Sequence, residues 1–364
     1  MEHVSIKIIV GFYEESRALF KSAVMIWRFF MRHQILILSV LLISAAAGAE
    51  IYLHARPLSN YVLDFIYRQG ADLPVHRPSA NLDMLVELRP GVSAVFEEEG
   101  MPRRKVSINA LGLRDAPRSV EKAPGVFRII MFGSSYTYGA LVNDGETMAA
   151  YMERQLNEGS AGPRYEVFNA GVSSYGPAQM TALARQLIGK GVDPDLLLFH
   201  VSLLGPRGFL DRHIDLGSYG KDPSLFREHF VLPFAENFKG WGYLCSKSRL
   251  ALLLVAHYNR MVSKDERYKR LEKNTVQRHI DAINKFADDF KEIPMSAVEC
   301  PCLDDHDMLI RKAMEKTPLD LDCLFPPKGA GEEYIMLHPP AAYVYAEYAA
   351  QWIRILEEKG LLPD

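Results

Sequence analysis

The chain has few cysteines and no excess of charge of either sign. Four cysteines in 364 residues are too few for a disulfide-stapled scaffold, and their spacing does not match a structural zinc site. The formal net charge of −3 does not favour nucleic acid as a main partner, because phosphate binding needs clustered basic residues. Hydrophobic residues make up 48% and charged residues 24% of the chain. This composition excludes a disordered protein and predicts one large or two ordinary globular domains.

One long apolar run stands near the N-terminus, QILILSVLLISAAAGA at residues 34–49. Beyond Glu50 the run continues to Leu53, so it reaches the roughly 20 residues that a membrane-spanning helix needs. We therefore predict a transmembrane helix over residues 34–55. The basic residues before this run are Lys7, Arg17, Lys21, Arg28 and Arg32. The positive-inside rule then predicts a single-pass protein of the inner membrane, with a cytoplasmic N-terminus and a periplasmic main domain.

Two other interpretations of the apolar run stay open. Ala47-Gly48-Ala49 resembles a signal-peptide cleavage site, and a run of this length is also compatible with a buried core helix. Residues 1–33 are basic and rich in aromatic residues, and we interpret them as a cytoplasmic amphipathic segment. Such a segment suits the membrane surface or a membrane-protein partner, unless it only continues the anchor helix inward.

The remaining chain changes character near residue 124. Residues 56–124 hold seven prolines and predict irregular chain with short strands at 84–88 and 93–97. Further on, buried strands are predicted at 127–132, 165–171, 195–203 and 295–301. Helices are predicted at 146–157, 177–189, 268–291 and 341–358. Residues 205–265 are interpreted as an insertion. The alternation of strands and helices predicts an α/β domain over 125–364, with a parallel sheet covered on both faces.

The strongest local signal for chemistry follows the first of these strands. It is the segment Gly133-Ser134-Ser135-Tyr136-Thr137-Tyr138-Gly139. A serine between a strand and a helix lies at the sheet edge where α/β proteins bind ligands, and backbone N–H groups there can face a developing oxyanion. A serine hydroxyl still needs a base, usually histidine, before it is a useful nucleophile.

Four segments together resemble the SGNH, or GDSL-type, hydrolases, in a membrane-anchored bacterial branch. Read as G-x-S-x-T-x-G, residues 133–139 resemble the first block of that family. The other three are Ile108-Asn109-Ala110-Leu111-Gly112-Leu113-Arg114-Asp115, Asn169-Ala170-Gly171-Val172-Ser173-Ser174-Tyr175-Gly176 and His338-Pro339-Pro340-Ala341-Ala342. The resemblance implies a flavodoxin-like three-layer sandwich around a mainly parallel sheet.

The resemblance also implies the roles of individual residues. Ser135 is the expected nucleophile and His338 its base. The expected oxyanion donors are the N–H groups of Ser135 and Ser174. No metal or organic cofactor is implied.

This chain departs from the family pattern at several of those positions. Ser174 replaces a glycine, Ser134 replaces an aspartate, and residues 203–205 lack the expected asparagine. The residue three before the histidine is Ile335, which cannot orient an imidazole, so Glu333 or Glu332 is expected to substitute for the missing acid.

The implied function is that of a membrane-anchored serine esterase or O-acyltransferase. Its expected substrates are acyl groups, above all acetyl, on extracytoplasmic glycans. The alternative function is that of a catalytically inactive protein with the same fold, acting as a structural or binding subunit of a membrane complex.

Three further features carry weaker signals. His200 lies in an apolar strand, where a satisfied core histidine is commoner than a catalyst. The run Asp304-Asp305-His306-Asp307 could bind a hard cation, but an exposed acidic turn is the commoner outcome. On the exported side, Cys300 or Cys302 can pair with Cys323, and free thiols are equally consistent with the sequence.

Overall fold

The computed structural model describes most of the chain. The described residues are 25, 31, 33–55, 75–81, 83–84, 86–97, 103–159, 162–202, 240–262, 264–302, 308–334, 339 and 341–363. The predicted amphipathic segment before residue 33, apart from isolated positions, and the acidic run at 304–307 lie outside them.

The described residues form nine strands, nine helices and one 3-10 helix, at Glu332–Tyr334. The strands are β1 (His76–Pro78), β2 (Val86–Leu88), β3 (Ser93–Phe96), β4 (Arg104–Ser107), β5 (Val126–Gly133), β6 (Arg164–Gly171), β7 (Leu196–His200), β8 (Met295–Glu299) and β9 (Leu321–Cys323). The helices are α1 (His33–His54), α2 (Ser135–Tyr138), α3 (Met148–Asn157), α4 (Pro177–Gly189), α5 (Trp241–Lys247), α6 (Arg249–Met261), α7 (Lys264–Asp289), α8 (Met308–Met314) and α9 (Ala342–Glu358).

The central sheet has five parallel strands in the order β6-β5-β7-β8-β9. This is the 2-1-3-4-5 order of flavodoxin-like folds, so the predicted fold class is confirmed. The order reverses between β5 and β7, because the chain first moves outward to β6 and then returns to the other side of β5. At such a switch point the crossover helices leave on opposite faces and open a crevice at the carboxyl ends of the strands.

Two apolar cores cover the two faces of the sheet and make the fold a three-layer sandwich. Successive residues of β5 alternate between them, as side chains of a strand must. Ile130 and Phe132 pack in the core formed with α4, α7 and α8, whereas Ile129 and Met131 pack in the core formed with α3 and α9. Burial on both faces explains why these strands read as continuous apolar runs in the sequence.

The lead-in before β5 is built from two antiparallel hairpins. β1 pairs with β2, and β3 pairs with β4. Val86, Leu88 and Val106 from these hairpins are buried in the same core as α4. The lead-in is therefore packed onto the α/β domain.

Helix α1 is long and apolar enough to span a membrane or to act as a signal anchor, judged by length and composition. It covers 22 residues, and its most apolar window has a mean hydropathy of 2.1 with none of its residues buried. The buried-core interpretation of this run is therefore wrong, because a core helix would be covered by the rest of the domain.

Candidate active site

Ser135 lies at the switch point of the sheet. β5 ends at Gly133, Ser134 caps the single turn of α2, and Gly139 ends that turn with a φ of 79°. Ser135 is half-buried, and no hydrogen bond joins its hydroxyl to another described residue. Its N–H is in the first turn of a helix, so it has no intrahelical acceptor.

The hydroxyl groups on either side of Ser135 are both engaged. The Ser134 Oγ lies 2.8 Å from the Ser202 Oγ, which follows the end of β7. The Thr137 hydroxyl lies 2.9 Å from Nδ1 of His200. Both contacts join the turn after β5 to the end of β7, and they leave Ser135 as the serine of this turn without a hydrogen-bonded hydroxyl among the described residues.

His200 is a structural histidine, as the commoner interpretation of an apolar-strand histidine predicts. Its Nε2 donates to the carbonyl oxygen of Cys300 at 2.9 Å, so Nδ1 accepts from Thr137. Burial lowers the pKa of His200 to about 4, although the hydrogen bond to Cys300 works in the opposite direction. At neutral pH this imidazole is uncharged with both nitrogens engaged, so it is not free to act as a base.

Two glycines allow α2 to approach the ends of β5 and β6. A Cβ at Gly133 would lie 1.9 Å from the Thr137 Oγ1, and a Cβ at Gly171 would lie 2.3 Å from the Tyr138 backbone nitrogen. Gly133 and Gly171 are register partners at the carboxyl edge of the sheet. The backbone of α2 therefore packs directly against this edge, which leaves no room for a Cβ at either glycine.

Replacing Gly171 with Ala is expected to lower the free energy of unfolding by about 1–3 kcal/mol, since the new methyl group meets backbone that cannot rotate away. Gly189→Ala is the matched control, because nothing lies within 4 Å of a Cβ there. In the last turn of α4 that change should be neutral or stabilise by up to about 1 kcal/mol. Denaturant unfolding of both variants measures the difference. Equal stability of the two would contradict the close approach of α2.

Ser174 occupies a left-handed backbone position after β6. Its φ is 68°, and it is the single non-glycine residue with a positive φ among those the structure describes. The turn is closed by the Tyr175 N–H, which donates to the Val172 carbonyl oxygen at 3.1 Å. A left-handed residue with a Cβ is strained, and glycine adopts this conformation freely. The structure thus gives a physical reason for a glycine at the equivalent position of the family pattern.

The motif at residues 108–115 bonds to the turns of the candidate site, a role that the sequence did not reveal. The Asn109 side chain accepts from the N–H groups of Leu111 and Leu113 and closes its own loop. Asp115 accepts from the Asn169 N–H at 3.2 Å and pairs with Arg118 at 2.8 Å. The motif therefore connects its own loop to β6, the strand that contains Asn169 and Gly171 at the start of the motif at residues 169–176.

Arg114 contacts the turn of α2 that contains Ser135. Its buried guanidinium donates to the carbonyl oxygens of Tyr138, Gly139 and Val142, and it lies 4.6 Å from the centre of the Tyr138 ring. One side chain thus bonds to the last carbonyl group of α2 and to two carbonyl groups just beyond it. The sequence shows only an arginine that follows the apolar Leu113. Its acceptors lie 24 to 28 residues further along the chain, so they could not be identified from the sequence.

The chain around the His338 motif is described only on either side of His338. His338 and the side chain of Glu333 lie outside the described residues, as does the stretch 203–205. The flanks are described: Pro339 is buried, and the Tyr348 hydroxyl of α9 donates to the Tyr334 carbonyl oxygen at 2.9 Å.

A disulfide joins the ends of the last two strands. Cys302 is bonded to Cys323, with 5.5 Å between their Cα atoms, while Cys245 and Cys300 are buried free thiols. Of the alternatives that the sequence left open, the structure has Cys302, and not Cys300, bonded to Cys323. The Glu299 carboxylate is near both sulfur atoms, but metal binding by cysteine requires thiolates rather than a disulfide.

Comparison with known proteins yields distant structural similarities. No protein-family profile and no curated protein matches the chain. The crystal structure of TesA has 13% identity and a TM-score of 0.35, covering 65% of this chain and 99% of TesA. Est2A, an acetyl xylan esterase from the rumen bacterium Butyrivibrio proteoclasticus, has 11% identity and a TM-score of 0.37, with 67% of each chain covered. A catalytic mutant of Axe2, an acetylxylan esterase from Geobacillus stearothermophilus, has 12% identity and a TM-score of 0.31, covering 63% of this chain and 93% of Axe2. At these values the similarities assign neither a family nor an activity.

Proposed function

We propose that this chain is a membrane-anchored serine esterase or O-acyltransferase of the SGNH type. Its substrates are acyl groups, with acetyl expected, on extracytoplasmic glycans. The observation that carries the proposal is the placement of Ser135, half-exposed at the switch point with its hydroxyl unengaged by described residues. The neighbouring hydroxyls of Ser134 and Thr137 are engaged by Ser202, just after β7, and by His200 at its end, so Ser135 is the one presented for reaction.

In the proposed mechanism the Ser135 Oγ attacks the acyl carbon while His338 accepts its proton. The Ser135 and Ser174 N–H groups stabilise the oxyanion of the tetrahedral intermediate. His338 then returns the proton to the sugar oxygen, which leaves as an alcohol. Water or a second sugar hydroxyl attacks the acyl-enzyme in the same way, and Ser135 regains its proton through His338.

The packing of α9 supports the role of His338. The Tyr345 ring of α9 lies 5.0 Å from the ring of Tyr136, the residue after Ser135. Tyr334, before the undescribed stretch, packs on Tyr348 of the same helix with ring centres 6.1 Å apart. Both flanks of His338 are thus joined to the part of α9 that contacts the nucleophile turn. Glu333, in the 3-10 helix of this block, is the proposed orienting acid.

Helix α1 supports the anchoring part of the proposal. The backbone is helical through the small residues 47–49 and on to His54. Glu50, directly after them, is half-buried and hydrogen-bonded to Ser248, so α1 runs without a break from the apolar run into a contact with the domain. We therefore favour a retained anchor in the inner membrane, with the domain on the periplasmic side and residues 1–33 free to meet a membrane-protein partner in the cytoplasm.

Acetate release tests the enzyme assignment. The full-length protein in detergent, incubated with O-acetylated oligosaccharides, is expected to release acetate or to move acetyl groups to an acceptor sugar. The absence of both activities would favour the alternative, a catalytically inactive subunit of a membrane complex. The specific observation in favour of that alternative is the Cβ of Ser174 at a proposed oxyanion donor.

In the same assay Ser174→Gly is expected to raise kcat by about fivefold to tenfold, equivalent to about 1–1.4 kcal/mol of barrier. The change removes the Cβ beside the oxyanion donor and relieves the left-handed strain. Ser174→Ala is the matched control, because it removes the hydroxyl but keeps the Cβ, and it should show no gain. An equal gain in both variants would assign the effect to the hydroxyl instead.

A further inference from the structure

The one charged residue within the apolar part of α1 makes a specific contact with the domain. The Glu50 carboxylate accepts hydrogen bonds from the Ser248 hydroxyl at 2.9 Å and from the N–H groups of Arg249 and Leu250 at 2.7 and 3.0 Å. In return the Arg249 guanidinium donates to the Leu53 carbonyl oxygen at 2.7 Å. The last turn of α1 is thus fastened to the first turn of α6.

This contact places the end of α5 and the start of α6 next to the C-terminal end of α1. With 22 residues, α1 is about 33 Å long, close to the roughly 30 Å of a bilayer core. Glu50 lies about one turn before its C-terminal end. If α1 spans a membrane, residues bonded to Glu50 lie at the outer boundary between lipid and water.

The helix pair α5–α6 has one face in the domain, and its outer surface carries exposed apolar side chains together with Lys247 and His257. Cys245, Leu252 and Val255 are buried in the core shared with the central sheet. On the outer face, Tyr243 and Leu254 are each 61% exposed. A packed helix pair with exposed apolar side chains next to the end of α1 matches the composition of an interfacial membrane contact.

We propose that the α5–α6 pair is a second membrane contact, with the outer face around Tyr243 and Leu254 inserted into the lipid interface. The occupant is the bilayer that α1 spans, so the inference rests on the proposed anchoring. Continuity with the end of α1 supports lipid as the occupant, and the exposed Lys247 at the end of α5 suits anionic headgroups. The contact fixes the domain at the membrane surface.

Site-directed labelling of the full-length chain tests this arrangement. Leu254→Cys is labelled with an environment-sensitive fluorophore and reconstituted into vesicles of phosphatidylethanolamine and phosphatidylglycerol. The native cysteines should react little, because Cys245 and Cys300 are buried and the other two form a disulfide. Glu358→Cys, at the exposed end of α9, is the matched control. Tyr243→Cys is a second reporter on the proposed face.

Nitroxide-labelled lipid is expected to quench the fluorescence of probes at 254 and 243 strongly, and iodide in the aqueous phase should quench it weakly. The probe at 358 should show the reverse. Flotation of the unlabelled chain after an alkaline wash tests anchoring separately. Flotation with iodide-accessible probes at 254 and 243 would overturn this inference and leave the anchor intact. Failure to float would overturn both.

Discussion

Replacing Ser135 with Ala is expected to abolish covalent labelling of the full-length protein by a fluorophosphonate probe. His338→Ala should have the same effect, because a hydroxyl and its base act as one unit. Turnover of an acetyl ester should fall by about 10⁴-fold or more in each single variant, and the double variant should lose little beyond that. Labelling is read from gel fluorescence and turnover from acetate release.

Ser173→Ala is the matched control for this experiment, because Ser173 is a half-buried serine at the same edge without a role in the proposed mechanism. It should keep both labelling and turnover. Melting temperatures of the Ser135 variant should stay near wild type, since its hydroxyl bonds to no described residue. A wild-type protein that is never labelled, or a Ser135→Ala variant that still is, would count against the enzyme. In the inactive-subunit case, deleting residues 1–33 should harm function more than any change at Ser135.

The central strands were predictable because burial on both faces leaves a simple signal. The run FRIIMF predicts β5 with a difference of one residue at each end, and YEVFNAG predicts β6 almost as closely. Both are continuous apolar segments that end in glycine. The same reasoning identified β7 and β8, and the alternation with helices predicted their parallel arrangement.

Shorter elements escaped prediction because long-range pairing, rather than local pattern, decides their structure. β9 has three residues, Leu-Asp-Cys, with no periodicity that indicates a strand, and it forms by pairing with β8. β1 ends in proline and is tied instead by its hairpin partner β2. In both cases pairing with the neighbouring strand, and not the local sequence, determines the extended conformation.

Within the site, the sequence identified positions but not their conformations. It singled out Ser135 and Ser174 by motif, whereas the positive φ of Ser174 is set by the turn that follows β6. It did not indicate the role of Arg114, because the carbonyl oxygens that Arg114 binds lie 24 to 28 residues further along the chain. Roles that depend on distant acceptors become visible only in three dimensions.

Arg114→Ala is expected to lower the free energy of unfolding by about 3–5 kcal/mol, which is typical when one partner of a buried charged network is removed. The carbonyl oxygens of Tyr138 and Val142 would lose the Arg114 donor, and that of Gly139 would keep only the Val142 N–H at 3.2 Å. Each unsatisfied acceptor costs about 1–3 kcal/mol. The melting temperature should therefore fall by roughly 10 °C or more.

Two matched variants separate this buried network from simple loss of charge. Arg103→Ala removes an arginine that is 74% exposed and paired with Glu97, so it should cost at most about 1 kcal/mol. Arg114→Lys keeps the positive charge at 114, but a single ammonium group cannot match a planar fork that serves three carbonyl oxygens. Its stability should lie between wild type and Arg114→Ala. In the proposed mechanism those carbonyl groups lie at and just after the end of the turn that presents Ser135, so Arg114→Lys should also reduce kcat at temperatures where it is fully folded. Wild-type kcat in a folded Arg114→Lys variant would show that the arginine supports the fold without positioning Ser135.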